Sequence, residues 1–407
     1  MIRALIWLTL VIGLGWWLNR EHQSGRFQRV DERFLDFLVA NARDRFEVAA
    51  SDAGASSDVV FVRMDAADKA EYAGWPPRPL DWQMMLTGLQ RFDPSVVVIP
   101  EALYWGTPSP EFTREAAEAL MGFPSVVLGV EAQLAPDPDS PAFLGGLEDA
   151  LPPFEKVGGP IRSIPALGAL ITAPDEELRR LAEIGVAILR NEEDQPLLPY
   201  ALREGDRLLP TALAQALARA SGTPYATHRL VLGPGAGAYL ANGTFVPLSQ
   251  TGELAVDTRQ VVPVVDALNL MTAELVGALT DEDKQHLTGP GKILVIGTDD
   301  GAAGNLSLLH AQALARVLST PRIQVLPAYA QWGVWAVAGA AGCWLVFRVP
   351  RRKAVLRGLA FIFVGLVVCF LAFQSALIWC PPTLPAALIA LSALFARLAG
   401  GVKEGKI

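Results

Sequence analysis

Three short apolar runs decide the fold: VVFVRM at Val59–Met64, SVVVI at Ser95–Ile99 and SVVLGV at Ser125–Val130. Each is rich in β-branched residues, holds at least four consecutive apolar positions, and is too short for a buried helix, the pattern of a strand covered on both faces. Helical patterns lie between them. Asp81 can cap a helix carrying Trp82, Met85, Leu86 and Leu89 on one face, and a second helix surrounds Glu111–Met121. Strand alternating with helix at this spacing predicts right-handed crossovers and a parallel or mixed sheet with flanking helices, an α/β fold. Farther along, Ile184–Leu189 (IGVAIL) and Ile293–Ile296, inside KILVIGTDDG at Lys292–Gly301, read as strands. Helices are expected at Thr211–Ala220 and near Leu306–Leu318, and Leu230–Val256 reads as turns and short strands. GPGAGA at Gly233–Ala238 is a plain loop, because Pro234 breaks the dinucleotide spacing and no Lys-Ser/Thr follows.

Outward from this block the chain turns strongly apolar. ALIWLTLVIGLGWWLN lies uncharged between Arg3 and Arg20, and its Trp16-Trp17 pair suits a membrane interface better than a signal-peptide cleavage site, the competing reading. Residues 328–347 carry no charge across 20 positions and residues 358–380 none across 23, enough for the ~20 residues a spanning helix needs. The next run, 383–399, follows Pro381-Pro382 and is short, so a re-entrant or surface segment competes with a span. RVPRRKAVLR at 348–357 has five cations and no acid, the mark of a cytoplasmic loop.

The expected layout is therefore a 1–19 anchor, a 20–327 extracytoplasmic domain, three C-terminal transmembrane helices and a cytoplasmic tail at 400–407. That makes four spans in a multi-pass protein of the inner (plasma) membrane. Only nine of the 34 Lys/Arg and one of the 42 Asp/Glu fall outside residues 19–327, leaving 25 against 41, a net −16. An acidic module suits an aqueous space outside an anionic membrane. Directly after the anchor, Phe27, Val30, Phe34 and Leu38 stripe an amphipathic helix expected to pack on that module, with a rigid lever that continues the first span, or pairing with a copy of itself, as the competing reading.

With 407 residues, 51% of them hydrophobic and only 19% charged, the chain is not disordered. Its net charge of −8 argues against nucleic acid as a partner. The three cysteines, Cys343, Cys369 and Cys380, all lie in the apolar C-terminal part, so no disulfide framework or cysteine zinc site exists before them. His22, His228, His286 and His310 are scattered without ligand spacing, and no G-x-S-x-G, H-E-x-x-H or P-loop pattern occurs. No catalytic residue, metal or cofactor is assigned, and an enzyme is not expected.

Three of the expected strands end in acids: Asp65, Glu101 after Pro100, and Asp299-Asp300. Ligands of open parallel sheets bind beyond the carboxyl ends of the strands, so Asp65, Glu101 and Asp299 are candidate ligand-binding residues, with Trp75 and Arg78 at the lip of the crevice. The competing reading is that they cap helices and turns or form structural bridges.

The order of these features resembles the CHASE type-2 family of extracytoplasmic sensory domains. The resemblance rests on Glu32-x-x-x-Asp36, VVFVRMD ending at Asp65, Trp75-Pro76-x-Arg78, ALREGDRLLPTALAQALA, PLSQTGELAVD, KILVIGT and His310-Ala311, followed by three apolar runs. Pro100 before Glu101, and Asn305 where an acid is expected, depart from the pattern. The resemblance implies a sensor that binds an extracytoplasmic ligand or partner and signals through its spans. Family members continue into a cyclase, kinase or phosphatase. About ten residues follow Arg397 here, so the expectation is a separate cytoplasmic or membrane effector, reached by the chain alone or as a homodimer. An envelope docking scaffold and a membrane-anchored enzyme using Asp65, Glu101 and Asp299 are the alternatives.

Overall fold

The computed structural model describes residues 27–398 apart from 53–57, 66–74, 107–109, 138–139, 141, 148, 193–194, 234, 277–278 and 300–304, together with positions 13 and 20. The chain forms two compact units, one of Asp44–Pro321 and one of Met1–Arg43 with Arg322–Ile407.

The first unit is built on a seven-stranded mixed sheet. Its strands are β1 (Val59–Asp65), β2 (Val96–Ile99), β3 (Val126–Leu134), β4 (Leu167–Thr172), β5 (Glu183–Ala187), β6 (Val264–Asp266) and β7 (Ile293–Asp299). The order runs β6–β1–β7–β2–β3, and both β4 and β5 pair with β3. All pairings are parallel except β3 with β4. Flanking the sheet are α1 (Pro79–Gln90), α2 (Pro110–Leu120), α3 (Ala212–Ala220), α4 (Ala267–Val276) and α5 (Leu306–Ser319).

The consecutive apolar residues of each strand serve two cores, because successive side chains point to opposite faces. Val60, Val62, Val97, Ile99, Leu294 and Ile296 pack with Trp82, Met85, Leu86 and Leu89 of α1 and Ala116, Ala117 and Leu120 of α2. Val59, Phe61, Val96, Val98, Ile293 and Val295 face Leu213 and Leu217 of α3 and Leu309, Leu314 and Val317 of α5. Full burial of each large apolar side chain stabilises by roughly 1.5–3 kcal/mol, so the strands are fixed from both sides. The α/β expectation therefore stands as a mixed sheet between helical layers.

Several boundaries differ from the sequence expectation. β4 and β6 are additional strands: LGALIT and VVD are short edge segments without the length or alternation that marks a strand. Asp81 lies within the first turn of α1 instead of capping it, because Pro79 at the first helical position sets the start and Arg78 takes the extended cap conformation. Leu230–Val256 resolves into four three-residue strands, three of which join Lys156–Gly158 in a four-stranded sheet.

The second unit contains α6 (Ala328–Arg348), α7 (Ala354–Ala376) and α8 (Thr383–Leu398). Of the four expected spans, two helices, α6 and α7, are long and apolar enough to cross a membrane. At 1.5 Å per residue, the 16-residue α8 is only about 24 Å long against a hydrocarbon core of about 30 Å, which corrects the expected fourth span to a shorter apolar helix. Position 13 apart, the 1–19 anchor lies outside the described residues, as does the 400–407 tail. On α7, Leu356, Phe363, Val364, Val368 and Leu371 are more than half exposed, an apolar surface that a water-soluble helix would bury. Small residues let these helices approach: a Cβ on Gly358 would stand 2.7 Å from that of Ala393.

The ends of this unit are distinct. At one, Arg351 donates from its guanidinium to the carbonyls of Arg397 and Leu398, closing the C-terminus of α8 with the basic loop. At the other, Gln324–Val325 pairs in parallel with Ile378–Trp379. There the amphipathic helix Gln28–Asn41 sets Phe34 on Trp379 and Phe37 on Phe370, with ring centroids 6.2 and 6.3 Å apart. Its buried Asp31 accepts from the Thr383 backbone N–H at 3.1 Å and the Thr383 hydroxyl at 2.6 Å, capping α8. This helix belongs to the same compact unit as the apolar helices, and Val30 of the expected apolar stripe is 56% exposed.

Candidate functional site

The carboxyl ends of β1, β7 and β2 lie side by side, so their acids gather at one sheet edge. Asp65 and Asp299 are in register on neighbouring strands, and Glu101 follows β2 after Pro100. Glu101 is held by the chain itself. Its Oε1 accepts from the Thr298 backbone N–H at 2.9 Å and from the Ser307 hydroxyl at 2.8 Å, and the Thr298 hydroxyl lies 3.0 Å from both carboxylate oxygens. Ser307 sits in the first turn of α5, where Asn305 caps the helix by accepting from the Leu308 N–H at 3.0 Å. Asn305 also donates its amide to the Thr298 carbonyl, tying the helix start to the end of β7. A carboxylate beside a helix N-terminus is favoured by the peptide dipoles.

This junction needs a glycine. A Cβ on Gly297 would stand 2.0 Å from Ser307 Oγ and 2.9 Å from Glu101 Oε1. On β3, a Cβ on Gly129 would meet the Pro100 carbonyl oxygen at 1.7 Å, so the loop that carries Glu101 crosses directly over bare β3 backbone.

Beside Glu101 opens a cleft of about 390 Å³, lined by Trp75, Pro76, Pro100, Glu101, Ala102, Tyr104, Glu131, Thr172, Ala187 and Leu306. Its wall is braced by indoles. Trp75 Nε1 donates to the Ala102 carbonyl at 3.3 Å, Trp105 Nε1 donates to the Pro77 carbonyl at 2.5 Å, and Trp75 stands edge-on to the buried Trp82. The Trp105 backbone N–H donates to Asp175 at 3.2 Å. Burial raises the pKa of Asp175, and this N–H offsets part of the rise.

Of the five residues expected at the site, the cleft brings together Trp75 and Glu101. Arg78 is exposed at the N-cap of α1 and does not line it. Asp299 is half-buried at the end of β7 and outside the lining, and the side chain of Asp65 lies outside the described residues. Sequence reasoning missed Tyr104, Glu131 and Thr172. Glu131 carries a usable signal, since it is the first charge after the apolar run of β3 and marks where that strand leaves the core. Thr172 carries none, because its strand is not legible in the chain. Among the described residues, no group of three or more His, Cys, Asp or Glu is placed to hold a metal ion.

Two histidines are part of the core. His228 lies between the Tyr200 hydroxyl, 2.8 Å from Nδ1, and the Thr223 hydroxyl, 3.2 Å from Nε2. His310 Nδ1 bonds to the Leu306 carbonyl at 2.8 Å. Burial lowers both pKa values to about 4. Unfolded, they bind protons near pH 6.5, so between about 4 and 6.5 the unfolded chain holds more protons than the native one. Their contribution is complete above pH 6.5 and is lost as pH falls towards 4. The stability of the purified chain, measured by thermal unfolding, is expected to drop by several kcal/mol across that window, on the order of 1.4 kcal/mol for each tenfold difference in proton affinity between the folded and unfolded states. His228→Gln is expected to flatten the profile. An unchanged slope in that variant would contradict the assignment.

In comparison with known proteins, no family model, no curated protein and no solved structure matches this chain.

Proposed function

We propose that this protein is a membrane-anchored sensor of CHASE type-2 character, whose α/β module binds a small ligand on the extracytoplasmic side and biases the apolar helices between two arrangements. The observation that carries this reading is the cleft at the carboxyl ends of parallel strands, the place where open α/β sheets take their ligands. Supporting it, α6 and α7 are long and apolar enough to cross a membrane, and the loop between them bears Arg351, Arg352 and Lys353. On this reading that loop is cytoplasmic, residues 1–19 form a further span, and the signal passes to a separate effector or through a homodimer. The described lining of the cleft has two carboxylates, Glu101 and Glu131, and no cationic side chain, so a neutral or cationic ligand suits it better than an anion.

The test is thermal unfolding of the full chain in detergent with choline, spermidine, glucose, succinate or inorganic phosphate. A probe that binds only the folded form stabilises it by about 2.7 kcal/mol at a hundred times its Kd. Stabilisation is expected from a cationic or neutral probe, and its loss in Thr172→Ala or Tyr104→Ala. Capture of a stoichiometric protein partner, with no stabilisation by any small molecule, would favour a docking scaffold instead. A chain deleted for residues 59–320 is expected to lose the phenotype of the intact gene, and full function in that deletion would refute the sensor reading.

A further inference from the structure

At the end of α7 the chain doubles back on itself. The helix stops at Ala376, and Leu377, at φ +54°, takes a left-handed conformation that turns the backbone around. Ile378–Trp379 then runs extended, held in place because the Gln324 N–H donates to the Leu377 carbonyl at 2.9 Å and the Leu326 N–H to the Trp379 carbonyl at 2.8 Å. Cys369 lies seven residues, about 10 Å, before the helix end, and three residues of extended chain return about the same distance. The reversal therefore delivers Cys380 alongside Cys369, and the two thiols are hydrogen-bonded to each other. All three cysteines are half-buried, but Cys343 stands on α6 without such a partner among the described cysteines.

We propose that Cys369 and Cys380 are an oxidation site that closes to an intramolecular disulfide. Closure removes the two S–H bonds and forms one S–S bond. The two electrons and two protons pass to an oxidised dithiol protein, whose own disulfide becomes a dithiol, or in vitro to the N=N bond of diamide, which becomes a hydrazine. The bond ties the reversal covalently to α7. That reversal carries Trp379, on which Phe34 rests, and leads into Thr383, which Asp31 holds, so the bond fixes the segment that joins the amphipathic helix to α8. The assignment rests on this geometry alone and holds whichever side of the membrane the turn occupies.

The experiment uses membranes containing the full chain. Diamide treatment is followed by blocking of free thiols with N-ethylmaleimide, then reduction and labelling with a maleimide–polyethylene glycol that shifts gel mobility. The expected result is two additions per chain in the wild type and in Cys343→Ser, and none in Cys369→Ser or Cys380→Ser. Tandem mass spectrometry of the unreduced wild type is expected to find the 369–380 crosslink, a measurement that does not depend on any variant folding. The inference is overturned if the wild type gains no label, if the label disappears in Cys343→Ser, or if oxidation yields disulfide-linked dimers instead.

Discussion

Gly129→Ala is expected to destabilise the α/β unit by about 3 kcal/mol or more, the upper end of the range for overpacking a close-packed core. The added methyl would lie 1.7 Å from the Pro100 carbonyl oxygen, 2.4 Å from its carbon and 2.9 Å from its Cα. All three are backbone atoms, so no rotamer change relieves the contact. Either β3 or the loop through Pro100 and Glu101 must move, and the cleft that both build moves with them. Gly158→Ala is the matched control, since its added Cβ meets nothing within 4 Å, and it should stay within about 0.5 kcal/mol of the parent. Thermal unfolding of the purified full chain measures both, and a Gly129→Ala protein as stable as the control would show that the loop does not cross β3 this closely.

Glu101→Ala is expected to cost about 2–4 kcal/mol, because it strips the acceptor from the Thr298 N–H, the Thr298 hydroxyl and the fully buried Ser307 hydroxyl together. Water entering from the open cleft replaces part of what is lost, which keeps the figure below the sum for three sealed donors. Glu101→Gln should fall between, since its amide keeps one acceptor oxygen but turns an N–H group towards donors. The comparison separates two roles for this acid. A strut between β7 and α5 loses stability on truncation, whereas a ligand contact would leave the empty protein unchanged and abolish only the stabilisation by added probe. The hydrogen bonds favour the strut, and Tyr104, Glu131 and Thr172 are the other polar side chains lining the cleft.

The same distinction explains which features can be read from the chain in one dimension. Val59–Val62, Val96–Ile99 and Ile293–Ile296 announce central strands because each side chain is apolar whichever face it meets, a local property that survives without knowledge of neighbours. The helices α3 and α5 are equally legible, Thr211 and Asn305 being capping side chains that act within three residues. β4 and β6 are not, since three to six residues at a sheet edge become strand only when a neighbour supplies hydrogen bonds.

The amino-acid order by itself determined that parallel strands would alternate with helices, that acids would follow several of those strands, and that the last fifth of the chain would be apolar. These are matters of periodicity and composition, fixed by nearest neighbours. Only the tertiary structure decided that Glu101 turns inward to Thr298 and Ser307, some 200 positions away, while Glu131 and Thr172 face the cleft. Only it brought Asp31 to Thr383 and Cys380 back to Cys369. A carboxylate or a thiol takes its role from the donors and sulfurs that packing sets beside it, and those partners come from distant parts of the chain.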